Sequence, residues 1–216
     1  LSRRSGRVGG VVYRSKKVSL DPPVLVSLER RKGTTLDTFS QPVVHSGYSG
    51  IRRSLDSLLA AGFLGRLFLA SLPSDEPNEP AFASLCEVFD SLNRGIDARI
   101  AGLWGQQRLL SCLGLAPQLY SCVECEEKNV VGFSALEGGV LCAGCLGRGE
   151  NIRLSEPELS LARVLSVLPL QQLSVELLDP EGVSLAGRIY KAQFQTHLDL
   201  SADYFKRVLP KRGKKR

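Results

Sequence analysis

Four cysteines in two pairs are the residues of this sequence best suited to chemistry. The chain reads Cys122-Val-Glu-Cys125, then sixteen residues, then Cys142-Ala-Gly-Cys145. A tight turn within each Cys-x-x-Cys unit aims both sulfurs at one point, and four thiolates around one point make the tetrahedral set that zinc prefers. With thiolate at all four positions no coordination site is left for water, so such a metal is structural rather than catalytic. Two disulfides, four unconnected buried thiols and an iron–sulfur cluster are the competing assignments. Disulfide frameworks belong mainly to small secreted chains, and this chain has six cysteines in 216 residues. Between the pairs, Gly132, Gly138 and Gly139 are expected to supply turns that fold one pair over the other. Phe133 and Leu136 are expected to give the loop a greasy patch for docking on a larger body.

Other chemistry is poorly represented, and no catalytic residue is nominated. Of the two histidines, His45 sits at a strand end beside Ser46-Gly47 in a loop context that points to no particular chemistry, and His197 falls on a late helical stretch where it reads as a packed or surface residue rather than a general base. No serine elbow, acidic metal cluster or phosphate-cradling loop is present. Gly6-Arg-Val-Gly-Gly10 is glycine-rich, but β-rich residues follow it where a nucleotide-binding loop would need a helix. Cys86 and Cys112 lack partner spacing and read as small core residues.

Charge is segregated along the chain. Residues 1–53 hold eleven Lys/Arg against three Asp/Glu, residues 54–203 hold ten against nineteen, and residues 204–216 hold seven against none. Two basic ends around an acidic middle point to a polyanion at the ends and a protein contact or the fold itself in the middle. Arg3, Arg4, Arg7, Arg14, Lys16, Lys17, Arg30, Arg31, Lys32, Arg52 and Arg53 are the candidate phosphate contacts. Tyr13, Phe39 and Tyr48, interleaved with them, are candidates for stacking on unpaired bases or for the core. With 43% hydrophobic and 23% charged residues the composition is that of an ordinary globular protein. No apolar run approaches the roughly 18 residues of a membrane span, and no apolar segment follows Leu1-Ser-Arg-Arg as a secretory signal would require.

The elements that must position these residues follow from periodicity. Residues 8–44 alternate with period two, interrupted by the Asp21-Pro-Pro turn and a basic hairpin tip at Glu29–Gly33, which predicts about three short antiparallel strands. From Ile51 the period lengthens to 3.6, with Ile51, Leu55, Leu58, Leu59 and Phe63 expected on one buried helical face. The Pro73–Pro80 stretch separates that helix from a second around Phe82–Leu92, and a third spans Ile96–Leu110. Ser155-Glu-Pro-Glu158 has the form of a capping box, Asp179-Pro-Glu-Gly182 reads as a turn, and Ala186–His197 as a last helix.

The order of parts resembles the RecO family of recombination mediators. The likeness is carried by Phe39 to Val44 leading into Gly50-Ile-Arg, by Leu113-Gly-Leu-Ala-Pro117, and by Cys122-x-x-Cys125. It continues through Phe133-Ser-x-x-Glu-Gly-Gly139, Cys142-x-x-Cys145 and the ending Tyr190…His197-Leu with Leu200-Ser-Ala-Asp-Tyr-Phe. The resemblance implies an α+β fold: a partial N-terminal OB-fold-like β sheet (1–48), then an all-helical domain (49–216) with an inserted four-cysteine zinc hairpin (120–147) and a basic tail (204–216). The family's opening strands do not appear before the basic stretch, and the chain has no methionine, so a shortened barrel is expected. It further implies a non-enzymatic cytoplasmic, nucleoid-associated protein with structural zinc at Cys122, Cys125, Cys142 and Cys145. Its implied partners are single- and double-stranded DNA, RecR and single-strand-binding protein, with DNA annealing and help in loading RecA as its role. The alternative is a zinc-stabilised protein-interaction adaptor whose basic tail is incidental.

Overall fold

Short polar side chains start the long helices of this α+β protein. The structure is a computed structural model that describes residues 1–12, 20–147 and 151–200. Helix α1 (Leu55–Ser71) begins where Ser54 Oγ accepts the Ser57 N–H at 3.3 Å. Asn78 Oδ1 caps α2 (Glu79–Asn93) through Ala81 N–H at 3.0 Å, and Asp97 caps α3 (Ala98–Cys112) through Arg99 N–H at 2.8 Å. The capping box read in the sequence opens α4 (Glu156–Val167), where Glu158 accepts from the Ser155 N–H at 2.7 Å. Asp179-Pro-Glu-Gly182 is not a free turn but the start of α5 (Pro180–Leu198): Asp179 Oδ2 accepts the Gly182 N–H at 2.7 Å, and Pro180 occupies the first helical position.

The chain divides into two compact units, Leu1–Gly95 and Ile96–Arg216. In the first, strands β1 (Gly10–Val12), β2 (Leu25–Arg31) and β3 (Asp37–Ser46) form a sheet of order β1-β3-β2. β2 and β3 pair antiparallel, as expected. β1 instead runs parallel to β3, with Val11 opposite Thr38. β1 and β2 do run in opposite directions, as the Asp21-Pro-Pro turn implies, but β3 inserts between them and takes the direction of β1. Along β2 the side chains alternate: Val26, Leu28 and Arg30 are half-buried while Ser27, Glu29 and Arg31 face solvent. Arg30 therefore lies in the inward register, where it pairs with Asp37 and Asp75.

α1 turns a different face inward from the one its first leucines mark. Ser57, Ala61, Phe63, Leu64, Leu67 and Phe68 are buried, whereas Leu55 is 71% exposed and Leu58 is also exposed. Leucines lie on nearly every side of this helix, and packing chose the face that holds the phenylalanines. Tyr48 joins the same core, 2% exposed and edge-on to Phe89 with ring centroids 5.6 Å apart. It is a packing residue and not a platform for bases.

The second unit is built around α3, which is buried on nearly all sides, from Ile100 through Trp104 to Leu110. Trp104 Nε1 donates to Leu168 O at 3.0 Å, tying α3 to the end of α4. α3 closes in a Schellman motif: Gly114 has φ +72°, its N–H reaches Ser111 O, and Leu115 N–H reaches Leu110 O at 2.8 Å. This gives Leu113-Gly-Leu-Ala-Pro117 a physical meaning, because it stops α3 and sends the chain into the cysteine module. Gln193 of α5 donates to Leu115 O at 3.1 Å and holds the turn from the other side. The module itself is a sheet of order β5-β4-β6, made of β4 (Val130–Ser134), β5 (Gly139–Cys142) and β6 (Ile152–Arg153). No helix among the described residues is long and apolar enough to cross a membrane.

The β2–β3 hairpin carries an acid-sensitive joint. The Gly33 N–H and then the Arg30 guanidinium hold the Asp37 carboxyl below its usual value. A depressed folded value means that the stabilisation is complete above the unfolded value of about 3.9 and fades as pH falls through the folded one. Thermal unfolding followed from pH 6 to pH 3 is expected to show Asp37→Asn less stable than the parent at pH 6, with the gap narrowing towards pH 3. A gap of constant size would contradict this account.

Candidate metal centre and basic surface

The four cysteines converge. Their sulfurs all lie within 4.8 Å of one another. Cys125 Sγ is 3.6 Å from both Cys142 Sγ and Cys145 Sγ. A disulfide requires about 2.05 Å, and all six cysteines are free thiols. Metal–sulfur bonds of about 2.3 Å in a tetrahedron set sulfurs about 3.8 Å apart. The donor set therefore fits one ion, and the two-disulfide assignment fails.

Backbone hydrogen bonds place each sulfur. The Cys122–Cys125 turn closes through Glu126 N–H to Cys122 O at 2.9 Å and Cys122 N–H to Glu127 O at 2.8 Å, with Glu126 at φ +64°. Cys142 ends β5, and its carbonyl accepts from Cys145 N–H at 3.2 Å and Leu146 N–H at 3.0 Å. The first turn is stitched to β5 by Val123 N–H to Val140 O and by Val140 N–H to Gln118 O, both 3.0 Å. Of the three loop glycines only Gly138 acts as expected, in the β4–β5 turn at φ +76°, while Gly139 is the first residue of β5 and pairs with Ser134. Gly132 is no turn: it lies in β4 at a break in register, where Leu146 packs over its missing side chain. The expected greasy patch is also divided, since Phe133 is fully buried and Leu136 is 77% exposed at the hairpin tip.

The thiols do not ionise alike. Burial opposes charge on Cys122, but the backbone amides of Cys142, Glu124 and Cys125 outweigh it and bring its thiol down to about 6. Cys145 is pushed up to about 12, first by its hydrogen bond with Cys125 and then by Cys142. At Cys125 the Glu127 amide and the Cys145 thiol favour the thiolate, yet Cys142, Cys122 and burial prevail and raise it. The Cys122 thiol is thus favoured as a thiolate while those of Cys125 and Cys145 are disfavoured, and a divalent cation held at the centre would supply the charge that favours thiolate ligands.

Three contacts that sequence spacing does not announce brace this module. His197 Nε2 and Ala135 O are 2.8 Å apart, which pins the hairpin turn to the last turn of α5. Arg163 of α4 donates to Leu119 O at 2.7 Å and its guanidinium lies 5.5 Å from the centre of the Tyr120 ring. Each joins residues more than forty positions apart, and only the fold brings them together. Cys86 and Cys112 are half-buried and stand apart from the cluster.

The basic candidates of the first unit divide by partner. Arg3 pairs with Glu79, Arg7 donates to Ser74 Oγ and to Leu69 O at 2.8 Å, Arg30 pairs with Asp37 and Asp75, and Arg52 donates to Asp21 O. Arg4, Arg31, Lys32 and Arg53 are exposed and make no ion pair among the described residues. Arg14, Lys16, Lys17 and Tyr13 lie outside the described residues, as does the basic stretch 204–216. Phe39 is half-buried in β3.

Gly139 offers a sharp test of the metal centre. A Cβ there would lie 2.5 Å from Val123 Cγ1 and 2.8 Å from Gln118 O, forcing the first cysteine turn away from β5. Gly139→Val is expected to cost about 1–3 kcal/mol in denaturant unfolding and to hasten loss of bound cation to a chelator. Gly144→Ala, whose Cβ would meet only Cys142 Sγ at 3.9 Å, is expected to behave as the parent. Equal cation retention in both variants would show that the β5 stitch does not position the sulfurs.

Comparison with known proteins identifies the chain's family. Residues 52–202 match the family model described as Recombination protein O C terminal. A DNA repair protein RecO from Desulforamulus reducens is 27% identical over 167 residues, covering 74% of this chain and 65% of that protein. The protein of the same name from Lactobacillus delbrueckii subsp. bulgaricus is 33% identical over 119 residues, covering 53% and 48%. That from Bacillus subtilis is 27% identical over 152 residues, covering 67% and 60%. The chain thus spans about half to two-thirds of the length of these relatives. Because the family model accounts for well over half of its residues, the chain belongs to the RecO family.

Proposed function

We propose that this chain acts in DNA repair as a non-catalytic DNA-binding mediator of recombination. In this reading it anneals strands and assists RecA loading together with RecR and single-strand-binding protein, in the cytoplasm at the nucleoid. Family membership supports the reading, as do the names of its relatives. The observation that carries it on this chain is the set of exposed cations Arg4, Arg31, Lys32 and Arg53 on the first unit, none of which is ion-paired among the described residues. The small sheet would form a partial OB-fold-like basic domain spanning 1–48, with 49–216 as the helical domain. Arg3, Arg7, Arg30 and Arg52, already engaged within the protein, would serve mainly to shape that surface. Arg14, Lys16 and Lys17 would extend it.

Zinc is the cation proposed for the cysteine centre, with a structural role. Four thiolates suit Zn²⁺ and leave it no open position. Cys122, Cys125, Cys142 and Cys145 would hold it and so fix the hairpin against α5. Native mass spectrometry is expected to find about one zinc per chain, absent from Cys125→Ser. A colourless folded chain that retains no metal after preparation with zinc would reject the assignment, and a visible chromophore would favour an iron–sulfur cluster.

Binding to a single-stranded oligonucleotide should weaken as salt rises, since cations displaced from phosphates drive the association. Replacing Arg31, Lys32 and Arg53 by glutamate should weaken it further and flatten the salt dependence by roughly 0.7 log unit per log unit of salt for each phosphate pairing removed. Affinity indifferent to salt would sink the DNA reading. Binding that disappears when residues 204–216 are removed, and owes nothing to the first unit, would favour the adaptor.

A further inference from the structure

The outer face of the cysteine module is mainly acidic around its first turn and hairpin tip, with Lys128 exposed beside Glu127 and Arg153 exposed on β6. Glu124, Cys125, Glu126 and Glu127 are all exposed on the first turn, and Leu136 and Glu137 are exposed at the hairpin tip. Beside them a cleft of about 740 Å³ runs between the hairpin and the last turns of α5. Leu136, Ile152 and Ala192 give it apolar walls, Glu124 and Glu137 also line it, and no lysine or arginine among the described residues does. A polyanion is repelled from such a surface. Many four-cysteine modules invite a nucleic-acid reading, but here the electrostatics oppose it.

We propose that this cleft is a docking site for a basic peptide segment of a protein partner, one in which an aliphatic side chain stands next to arginine or lysine. Two observations select that chemistry. The described lining is complementary in charge to a cation: it holds the two carboxylates of Glu124 and Glu137 and no lysine or arginine. Leu136 leaves 77% of its surface in water although it stands at the mouth of the cleft on a turn fixed by the His197 contact, so an aliphatic partner would find a bare and well-placed anchor. The backbone around it is preformed, which lowers the ordering cost of binding. The inference goes beyond DNA binding and does not depend on it, because the charges involved belong to a different unit from the basic surface.

The test uses the full zinc-loaded chain and a fluorescein-labelled hexapeptide of two leucines, an arginine, two lysines and a glycine, followed by anisotropy. Saturable binding is expected, with no binding of the counterpart that carries glutamate at its three basic positions. Glu124→Gln combined with Glu137→Gln should weaken it on the order of tenfold, and Leu136→Ser to a similar degree. Metal content and far-ultraviolet circular dichroism of each variant check that the module still folds. Oligonucleotide binding, measured in parallel, should be unchanged in both variants, so that failure of this site and failure of the DNA reading are distinguishable. If the glutamine variant weakens binding and Leu136→Ser does not, the surface is a diffuse patch of charge and the docking site is refuted. Absence of binding to the parent chain refutes it outright.

Discussion

Convergence of four sulfurs to within 4.8 Å is the constraint on which the second unit depends. Four thiols at that separation are a poor arrangement without a cation, because ionising one raises the cost of ionising the next. The fold nevertheless builds the site from backbone geometry. One pair closes a turn with a positive-φ residue, the other follows directly from a strand end, and Gln118 and Val140 lace the two together. The positions of α4 and α5 reach the same module through Arg163 and His197. Geometry at the sulfurs and packing of the helices are therefore one problem, not two.

The first unit obeys a different logic. Its sheet has three strands among the described residues, and its core comes from α1, α2 and the aromatic pair Tyr48 and Phe89. Several of its arginines hold elements together. Arg30 illustrates this: facing inward on β2, it satisfies two carboxylates that arrive from β3 and from the linker before α2. A cation count taken from such a sequence overstates the charge available to a polyanion. The subset that makes no ion pair among the described residues is the more instructive quantity.

Legibility in the sequence follows the range of the interaction involved. The cysteine spacing, the Ser155–Glu158 box and the Pro73–Pro80 break are local, and each appears in the fold where the residues place it. The buried side of α1 is not legible in this way, because leucines at 55, 58, 59, 64, 67 and 69 make hydrophobicity a weak guide to orientation there. Asp179-Pro180 suggests a turn and proves to be a helix start because aspartate and proline serve equally well in both. The direction of β1 depends on β3 inserting beside it, and Gly132 on Leu146 arriving from the far side of the hairpin. Those are tertiary facts, which no period or propensity encodes.

The contact between His197 and Ala135 O has a consequence for the chain as a whole. A helix near its end frays, because its last carbonyls lack partners of their own. Here the final turn of α5 is tethered instead to a tight turn 62 positions earlier, and the strand that leaves that turn ends at Cys142. Opening of the two is thus linked: a cation bound at the cysteines would stabilise the hairpin, and amide protons near residue 197 would then exchange more slowly. The end of α5 would thereby report on the occupancy of a site that it does not touch.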